Sequence, residues 1–101
     1  MAEKFVNGLK YTDSITGQDH TLPVTGIFVE IGMIPNTDFA DRVVERDEYK
    51  RIIIDPWTQK TGTENIWAAG DCTNVKYHQN NISAGDAVRA LEDIYVTLKA
   101  K

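Results

Sequence analysis

The stretch Ile66-Trp67-Ala68-Ala69-Gly70-Asp71-Cys72 decides the fold of this chain. A short apolar run bounded by polar residues is typical of a buried strand. The Gly-Asp step that follows indicates a sharp turn at the carboxyl end of that strand. Ligands of open α/β sheets bind at this edge, so Asp71 either holds a ligand or caps a turn. The spacing alone favours the turn, because Gly-Asp after a strand is common.

A long helix is predicted to follow this stretch. Its free N–H groups and the positive end of its dipole, near Ile82, favour a phosphate or an electron-rich carbonyl group. Asn81 and Ser83 are both candidate N-caps, and Asp86 is expected in the first turn, where the dipole favours a carboxylate. The prediction rests on apolar residues at the spacing of one helical face, namely Ala84, Ala87, Val88, Leu91, Ile94, Tyr95 and Leu98.

Short β elements precede this helix. The sequence predicts strands at residues 4–12, 20–24, 27–31, 51–55 and 66–69. The first two form a hairpin around a turn at Gly17, and Pro23 makes the second an edge strand because it cannot donate to a ladder. Thr37 or Asp38 is expected to cap a short helical turn. The predicted fold class is α/β, or α+β for the isolated fragment: a β-hairpin and short strands followed by a C-terminal helix.

The composition argues against several classes of function. A formal net charge of -4, without a cluster of Lys or Arg, argues against a nucleic-acid surface. No apolar run is long enough to cross a membrane. Cys72 is the single cysteine, so no internal disulfide can form, and with no secretion signal this predicts a reducing, cytoplasmic setting. His20 and His78 lack neighbours at ligand spacing, so no metal site is predicted.

The remaining candidate side chains favour structural interpretations. The Cys72 thiol is expected to be a buried packing group rather than a reactive one. Trp57 and Trp67 are expected to pack against other residues rather than to form a stacking platform for bases or rings. Glu45–Glu48 carries charges of both signs and is most simply a solvated surface.

The region around the opening stretch resembles the pyridine nucleotide-disulfide oxidoreductases. The pattern Thr63-x-x-Ile66-Trp67-Ala68-Ala69-Gly70-Asp71 is similar to their second flavin-binding fingerprint. The nearest resemblance is to the thioredoxin reductases and the flavoprotein subunit of alkyl hydroperoxide reductase. Three further stretches agree with the family in order and spacing: residues 26–37, 52–55 and 77–85. The resemblance runs from about Gly8 to Leu98, nearly the whole chain.

The resemblance implies a partial FAD/NAD(P)-binding fold. Residues 1–34 would form the end of the NAD(P)H-binding domain, a β-meander, and residues 35–101 the C-terminal segment of the FAD-binding domain. Asp71 would accept a hydrogen bond from a ribityl hydroxyl of FAD, with Cys72 beside it. Gly70 would let the cofactor approach the backbone closely.

The resemblance also implies that the start of the helix faces the flavin ring. Gln79 and the backbone N–H of Asn80 would lie near the pyrimidine edge of the ring. The helix from Ile82 would direct its dipole toward N1 and the C2 carbonyl, where negative charge gathers on reduction. Three positions depart from the family: His78 replaces a common Arg or Lys, Asn80 a small or apolar residue, and Ala87 a glycine.

The chain lacks the motifs that carry the chemistry of the family. It has no G-x-G-x-x-G to cradle a pyrophosphate and no CxxC to reduce a disulfide. No catalytic residue is therefore assigned, and the chain is not expected to catalyse a reaction alone.

Two hypotheses follow from these absences. In the first, the chain is the C-terminal part of an FAD-dependent NAD(P)H:disulfide oxidoreductase of the thioredoxin reductase type, and its partner is the remainder of that reductase. In the second, it is a stand-alone, truncated, non-catalytic remnant. Such a remnant would homo-oligomerise, or complement a separately encoded chain, through exposed β edges and an orphaned apolar helix face.

Overall fold

The computed structural model describes residues 5–100 of the chain. The chain divides into two compact units, Met1–Gly32 and Met33–Lys101. This division falls two residues before the boundary between residues 34 and 35 that the sequence predicts. Within residues 5–100, no helix is both long enough and apolar enough to span a bilayer.

The first unit contains the predicted β-hairpin. Strand β1, Leu9–Thr12, pairs antiparallel with strand β2, Asp19–Leu22, and Leu9 lies opposite Leu22. The connecting turn is held by Asp13, whose carboxylate accepts the backbone N–H groups of Ile15 and Thr16 at 2.7 and 3.0 Å. The hairpin is confirmed, although both strands are shorter than predicted, and Lys4 lies outside the described residues.

The strand predicted at residues 27–31 is wrong. These residues adopt no paired β structure, and the side chains of Phe28 and Ile31 are 89% and 90% exposed. Their β-branched and aromatic composition favours a strand, but a strand forms only where a second strand offers its N–H and C=O groups. The two hairpin strands pair with each other, and no other described segment pairs with residues 27–31.

The second unit is built around a small core of Ala40, Ile52 and Ile54. The strands predicted at residues 51–55 and 66–69 occur only as isolated bridges. Ile52 bridges Thr73 in parallel and Arg46 antiparallel, Ile54 bridges Thr61, and Lys60 bridges Trp67. Alternate residues Ile52 and Ile54 are buried, which is the strand periodicity that the sequence predicts.

The predicted helical turn is a 3-10 helix, Asp38–Ala40, preceded by Thr37. Thr37 makes no side-chain cap. Its hydroxyl is fully buried and instead donates to the backbone carbonyl of Lys50 at 2.5 Å. The turn is thereby attached to a loop 13 residues further along the chain.

The prediction that Glu45–Glu48 is simply a solvated surface is wrong for its two central residues. The Arg46 side chain is only 14% exposed, and it donates to the Thr37 hydroxyl and to Asp38 at 3.2 and 3.1 Å. Asp47 accepts the Arg51 Nε–H group at 2.7 Å and the Arg51 backbone N–H at 2.9 Å. These contacts hold the loop before Ile52 in place.

Helix α1, Asn80–Lys99, begins two residues before the predicted start at Ile82. Its N-cap is Gln79, in extended backbone conformation, rather than Asn81 or Ser83. Asp86 consequently lies beyond the first turn, contrary to the prediction, and only 5% of it is exposed. The helix begins early because the backbone carbonyl of Gln79 already accepts the N–H group of Ser83, at 2.9 Å.

Helix α1 packs against the rest of the second unit through a stripe other than its apolar one. Asp86 and Ala90 are its buried residues. Part of the apolar stripe that the periodicity predicts lines a cleft beside Trp67, namely Ala87, Leu91 and the half-buried Ile94. Four of its large side chains are nevertheless between 58% and 64% exposed: Val88, Leu91, Tyr95 and Leu98.

Candidate functional site

The Gly-Asp step forms a tight, hydrogen-bonded turn at the end of the apolar stretch. Gly70 is buried and has a φ of 90°, a conformation that only glycine adopts without strain. Its carbonyl oxygen accepts both the N–H and the hydroxyl of Thr73, at 3.0 and 2.7 Å. Thr73 is itself fully buried. The sharp turn predicted from the sequence is therefore present and rigidly held.

The turn brings Asp71 against the first turn of α1. The Ser83 hydroxyl donates to Asp71 Oδ1 at 3.0 Å. The approach is close: a Cβ added to Gly70 would lie 3.4 Å from both Cβ and Oγ of Ser83. Asp71 is exposed, and among residues 5–100 no group donates to its Oδ2. The structure thus presents a carboxylate with one oxygen anchored and one available.

The amino end of α1 offers free hydrogen-bond donors beside this carboxylate. Gln79 makes no side-chain cap, and the backbone N–H groups of residues 80–82 meet no acceptor in the described part of the chain. The side chains of Gln79, Asn80 and Ile82 are exposed. Uncapped N–H groups and the helix dipole together favour an electron-rich group at this position.

Cys72 is partly buried and points back into the turn. Its Sγ lies 3.5 Å from the backbone carbonyl oxygen of Ala69, to which the thiol donates. Burial is the main cause that raises the pKa of the Cys72 thiol. A raised pKa leaves less thiolate at neutral pH, which agrees with a packing role rather than a reactive one.

A polar contact that no local sequence signal predicts joins the apolar stretch to α1. The Trp67 indole N–H donates to Asp93 Oδ2 at 2.8 Å, and Lys60 Nζ lies 3.3 Å from the same oxygen. The prediction that Trp67 packs is refined by this bond. Trp57, in contrast, is 86% exposed, so the prediction that it packs is wrong. No spacing rule connects Trp67 with a residue 26 positions later.

The Trp67–Asp93 contact predicts a specific dependence of stability on pH. The indole hydrogen bond, followed by Lys60, lowers the pKa of Asp93 below its ordinary value of 3.8. Because the pKa of Asp93 is lower in the folded chain than in the unfolded chain, its ionised carboxylate stabilises the fold at pH values above the unfolded-state pKa. This stabilisation is lost as the pH falls through the folded-state pKa. We expect Asp93→Asn to flatten the acid limb of the unfolding curve below about pH 4. Glu92→Gln is the control, and identical acid limbs for both variants would contradict the expectation.

A second polar cluster lies between α1 and the loop before Thr61, around the fully buried Gln59. Arg89 Nη1 donates to the Pro56 carbonyl at 2.9 Å. With the Gln59 amide assigned in the orientation that suits its neighbours, its nitrogen donates to the Ala68 carbonyl at 3.0 Å and its oxygen accepts from Arg89 at 3.2 Å. This cluster fixes the apolar stretch relative to the helix from its other side.

The predicted site has two parts, the Gly70–Asp71 turn and the start of α1. The structure joins them through one side-chain hydrogen bond. Asp71 meets the first turn of α1 through Ser83. The sequence suggested Ser83 as a helix cap and as part of the helix start that resembles the family, but gave it no contact with Asp71. Gln79 and Asn80 lie at the helix start, as expected from their place in the sequence. Among the described residues, no group of three or more His, Cys, Asp or Glu side chains could hold a metal ion.

Comparison with known protein families identifies related sequences. The family model described as "Pyridine nucleotide-disulphide oxidoreductase" matches residues 2–88. The alkyl hydroperoxide reductase F protein of Escherichia coli K12 is 42% identical over 85 residues, which are 84% of this chain and 16% of that protein. An NADH dehydrogenase from Bacillus subtilis is 39% identical over 88 residues, 87% of this chain and 17% of that protein.

Solved structures agree with the sequence comparison. Thioredoxin reductase from T. acidophilum superposes with a TM-score of 0.83 at 34% identity, covering 90% of this chain and 30% of that one. Thioredoxin reductase from Lactococcus lactis superposes with a TM-score of 0.84 at 25% identity, covering 94% and 31%. These neighbours confirm the partial α/β fold that the resemblance implied.

The chain spans about a sixth of the length of these two curated relatives and less than a third of these solved reductases. The residues that the family model matches include the Gly70–Asp71 turn and the start of α1. The chain therefore belongs to the pyridine nucleotide-disulphide oxidoreductase family.

Proposed function

We propose that this chain supplies the ribityl and isoalloxazine side of the flavin site in an FAD-dependent NAD(P)H:disulfide oxidoreductase of the thioredoxin reductase type. FAD is the cofactor that membership in this family implies. The observation that carries the proposal is the exposed Asp71 carboxylate, anchored on one oxygen, beside the uncapped amino end of α1. Residues 1–34 would belong to the NAD(P)H-binding domain and residues 35–101 to the FAD-binding domain.

The residues present fit the polyol part of such a cofactor. Asp71 Oδ2 would accept a hydrogen bond from a ribityl hydroxyl, since an ionised carboxylate is an acceptor only. Gly70 is buried, and the Cβ that it lacks would face Ser83, so glycine lets the turn bring Asp71 close to α1. Cys72 would line the same turn.

The amino end of α1 fits the ring of the cofactor. Gln79 and the N–H groups of Asn80 and Ile82 would face its pyrimidine edge, where they stabilise negative charge. When bound, the flavin takes a hydride from NAD(P)H and passes the electrons on to a disulfide. This chain would hold and orient the flavin and tune its charge, while the remainder of the reductase supplies the pyrophosphate cradle and the cysteine pair.

Gel filtration with FAD tests whether this part of the site is competent alone. The purified chain would be incubated with FAD and passed over the column while the flavin absorbance is followed. We expect flavin to coelute with the chain when FAD is present in molar excess. We expect the flavin to dissociate on dilution, because this chain has no motif that holds the pyrophosphate of FAD. If no flavin coelutes with the chain at any FAD concentration, the expectation that this chain binds FAD by itself is wrong.

The exposed apolar stripe of α1 favours a second candidate function. Four large apolar side chains of this stripe are more than half exposed: Val88, Leu91, Tyr95 and Leu98. The second unit also has a cleft of about 320 Å³ that is open to solvent, and its apolar walls include Phe39 and Val43. Contiguous exposed apolar surface marks an interaction site. The chain would then be a non-catalytic remnant that homo-oligomerises or complements a separate chain carrying G-x-G-x-x-G and CxxC.

The α1 stripe makes self-association testable. We expect the isolated chain to self-associate in sedimentation equilibrium, and Leu91→Glu to weaken association at least about tenfold, because it places a charge in the buried centre of the interface. Leu91 is 61% exposed within one chain, so the substitution should leave the fold intact. The neighbouring Glu92→Gln is the control. A wild-type chain that stays monomeric at all concentrations would contradict the expectation.

A further inference from the structure

The geometry points to Ser83 as a positioning residue for Asp71, which fixes the carboxylate so that its second oxygen meets a ribityl-type hydroxyl. This inference rests on the proposed flavin site and gives a role to a residue that the family resemblance placed only at the start of the helix. The observation behind it is the hydrogen bond from Ser83 Oγ to Asp71 Oδ1, at 3.0 Å across 12 residues of sequence.

Hydrogen bonds within the helix and within the turn hold the two partners of this bond in place. The Ser83 backbone N–H makes the first intrahelical bond of α1, to the Gln79 carbonyl, so the position of the hydroxyl is set by the helix. The Gly70 carbonyl is bound twice by Thr73, so the backbone before Asp71 is set by the turn. The room between helix and turn is small, because a Cβ added to Gly70 would lie 3.4 Å from Ser83.

The bond has a consequence for an exposed carboxylate. An aspartate on the surface samples several rotamers, and a ligand that needs one of them must bear the entropy cost of ordering it. Ser83 orders Asp71 before the ligand arrives and occupies Oδ1, so Oδ2 is the oxygen left for a hydroxyl donor. Removing the Ser83 hydroxyl should therefore lower the affinity for flavins that carry a ribityl chain by about three- to tenfold.

Lumiflavin, which has the flavin ring but no ribityl chain, separates positioning from general damage to the site. We would titrate riboflavin and lumiflavin into the wild-type chain, Ser83→Ala and the control Glu92→Ala, which changes the exposed surface of α1 away from its amino end. The expected result is a loss of riboflavin affinity in Ser83→Ala alone, with lumiflavin affinity unchanged in all three. An equal loss for both flavins would mean that Ser83 only supports the helix, and no loss for either would also overturn the inference.

A second measurement needs no flavin. Three-bond couplings from the Asp71 side-chain carboxyl carbon to its backbone report the χ1 rotamer by NMR. We expect one rotamer in the wild-type chain and in Glu92→Ala, and averaging among rotamers in Ser83→Ala. The same couplings in all three proteins would overturn the positioning role. If no protein binds flavin while these couplings change as expected, the proposed function fails and the role of Ser83 in ordering Asp71 stands.

Discussion

Gly70→Ala is expected to lower the free energy of unfolding of the second unit by about 1–3 kcal/mol, because alanine cannot adopt a φ of 90° without strain. The new Cβ would also meet Ser83 at 3.4 Å, in the contact that joins the turn to α1. Relief of that strain would shift Asp71 away from the helix. We therefore expect the substitution to weaken flavin binding as well as stability.

Gly85→Ala is the matched control for Gly70→Ala. Gly85 lies within α1 and has no positive φ, and a Cβ added there would meet nothing within 4 Å. The same chemical change should stabilise the helix by about 0.5–1 kcal/mol. Urea unfolding of both variants measures the difference. Equal changes in the free energy of unfolding for the two variants would contradict the expectation that a side chain at position 70 strains the turn.

Asp71→Ala is expected to lower the affinity for FAD by about ten- to a hundredfold. The reason is that a hydrogen bond to a charged group contributes about 1.5–3 kcal/mol. Asp71 is exposed and bonds only Ser83 among the described residues, so the unfolding free energy should change by less than about 0.5 kcal/mol. A large loss of affinity with unchanged stability would therefore report on the site itself.

Fluorescence titration of FAD measures this affinity directly. Glu92→Ala removes a carboxylate of the same charge from the exposed surface of α1, so it controls for the change in net charge. We expect Glu92→Ala to bind FAD as the wild-type chain does. An Asp71→Ala protein that retains full affinity would mean that the flavin, if bound, lies elsewhere.

The sequence predicted the parts of the fold that depend on local signals. The hairpin follows from a turn that contains Gly17, and the helix follows from its apolar period. The sharp turn follows from the Gly70–Asp71 step after an apolar run. Each of these signals lies within a few residues of the element that it specifies, so no knowledge of the rest of the chain was needed.

The wrong predictions concern features that depend on partners distant in sequence. Residues 27–31 have strand composition but no described partner strand, and composition cannot supply one. The apolar spacing of α1 correctly predicted a helix, but the buried residues of that helix are Asp86 and Ala90. The spacing of apolar residues does not tell which other segment covers them, so it could not predict this packing.

The contacts that shape the candidate site were invisible in the sequence for the same reason. The Trp67–Asp93 and Ser83–Asp71 bonds cross 26 and 12 residues respectively. Neither pair has a characteristic spacing, since the separation depends on the length of the loop between strand and helix. The resemblance to a family assigned a role to Asp71, but only the geometry of the folded chain showed that Ser83 bonds it.

The most direct test of the proposed site is an NMR titration of the ¹⁵N-labelled chain with FAD. We predict that the largest amide shifts occur at residues 70–72 and 79–83, which come from two segments joined by the Asp71–Ser83 bond. Shifts confined to another region, such as the cleft of about 280 Å³ lined by Met33, Tyr49 and His78, would contradict the proposed site. So would a titration in which saturating FAD shifts no amide of either segment.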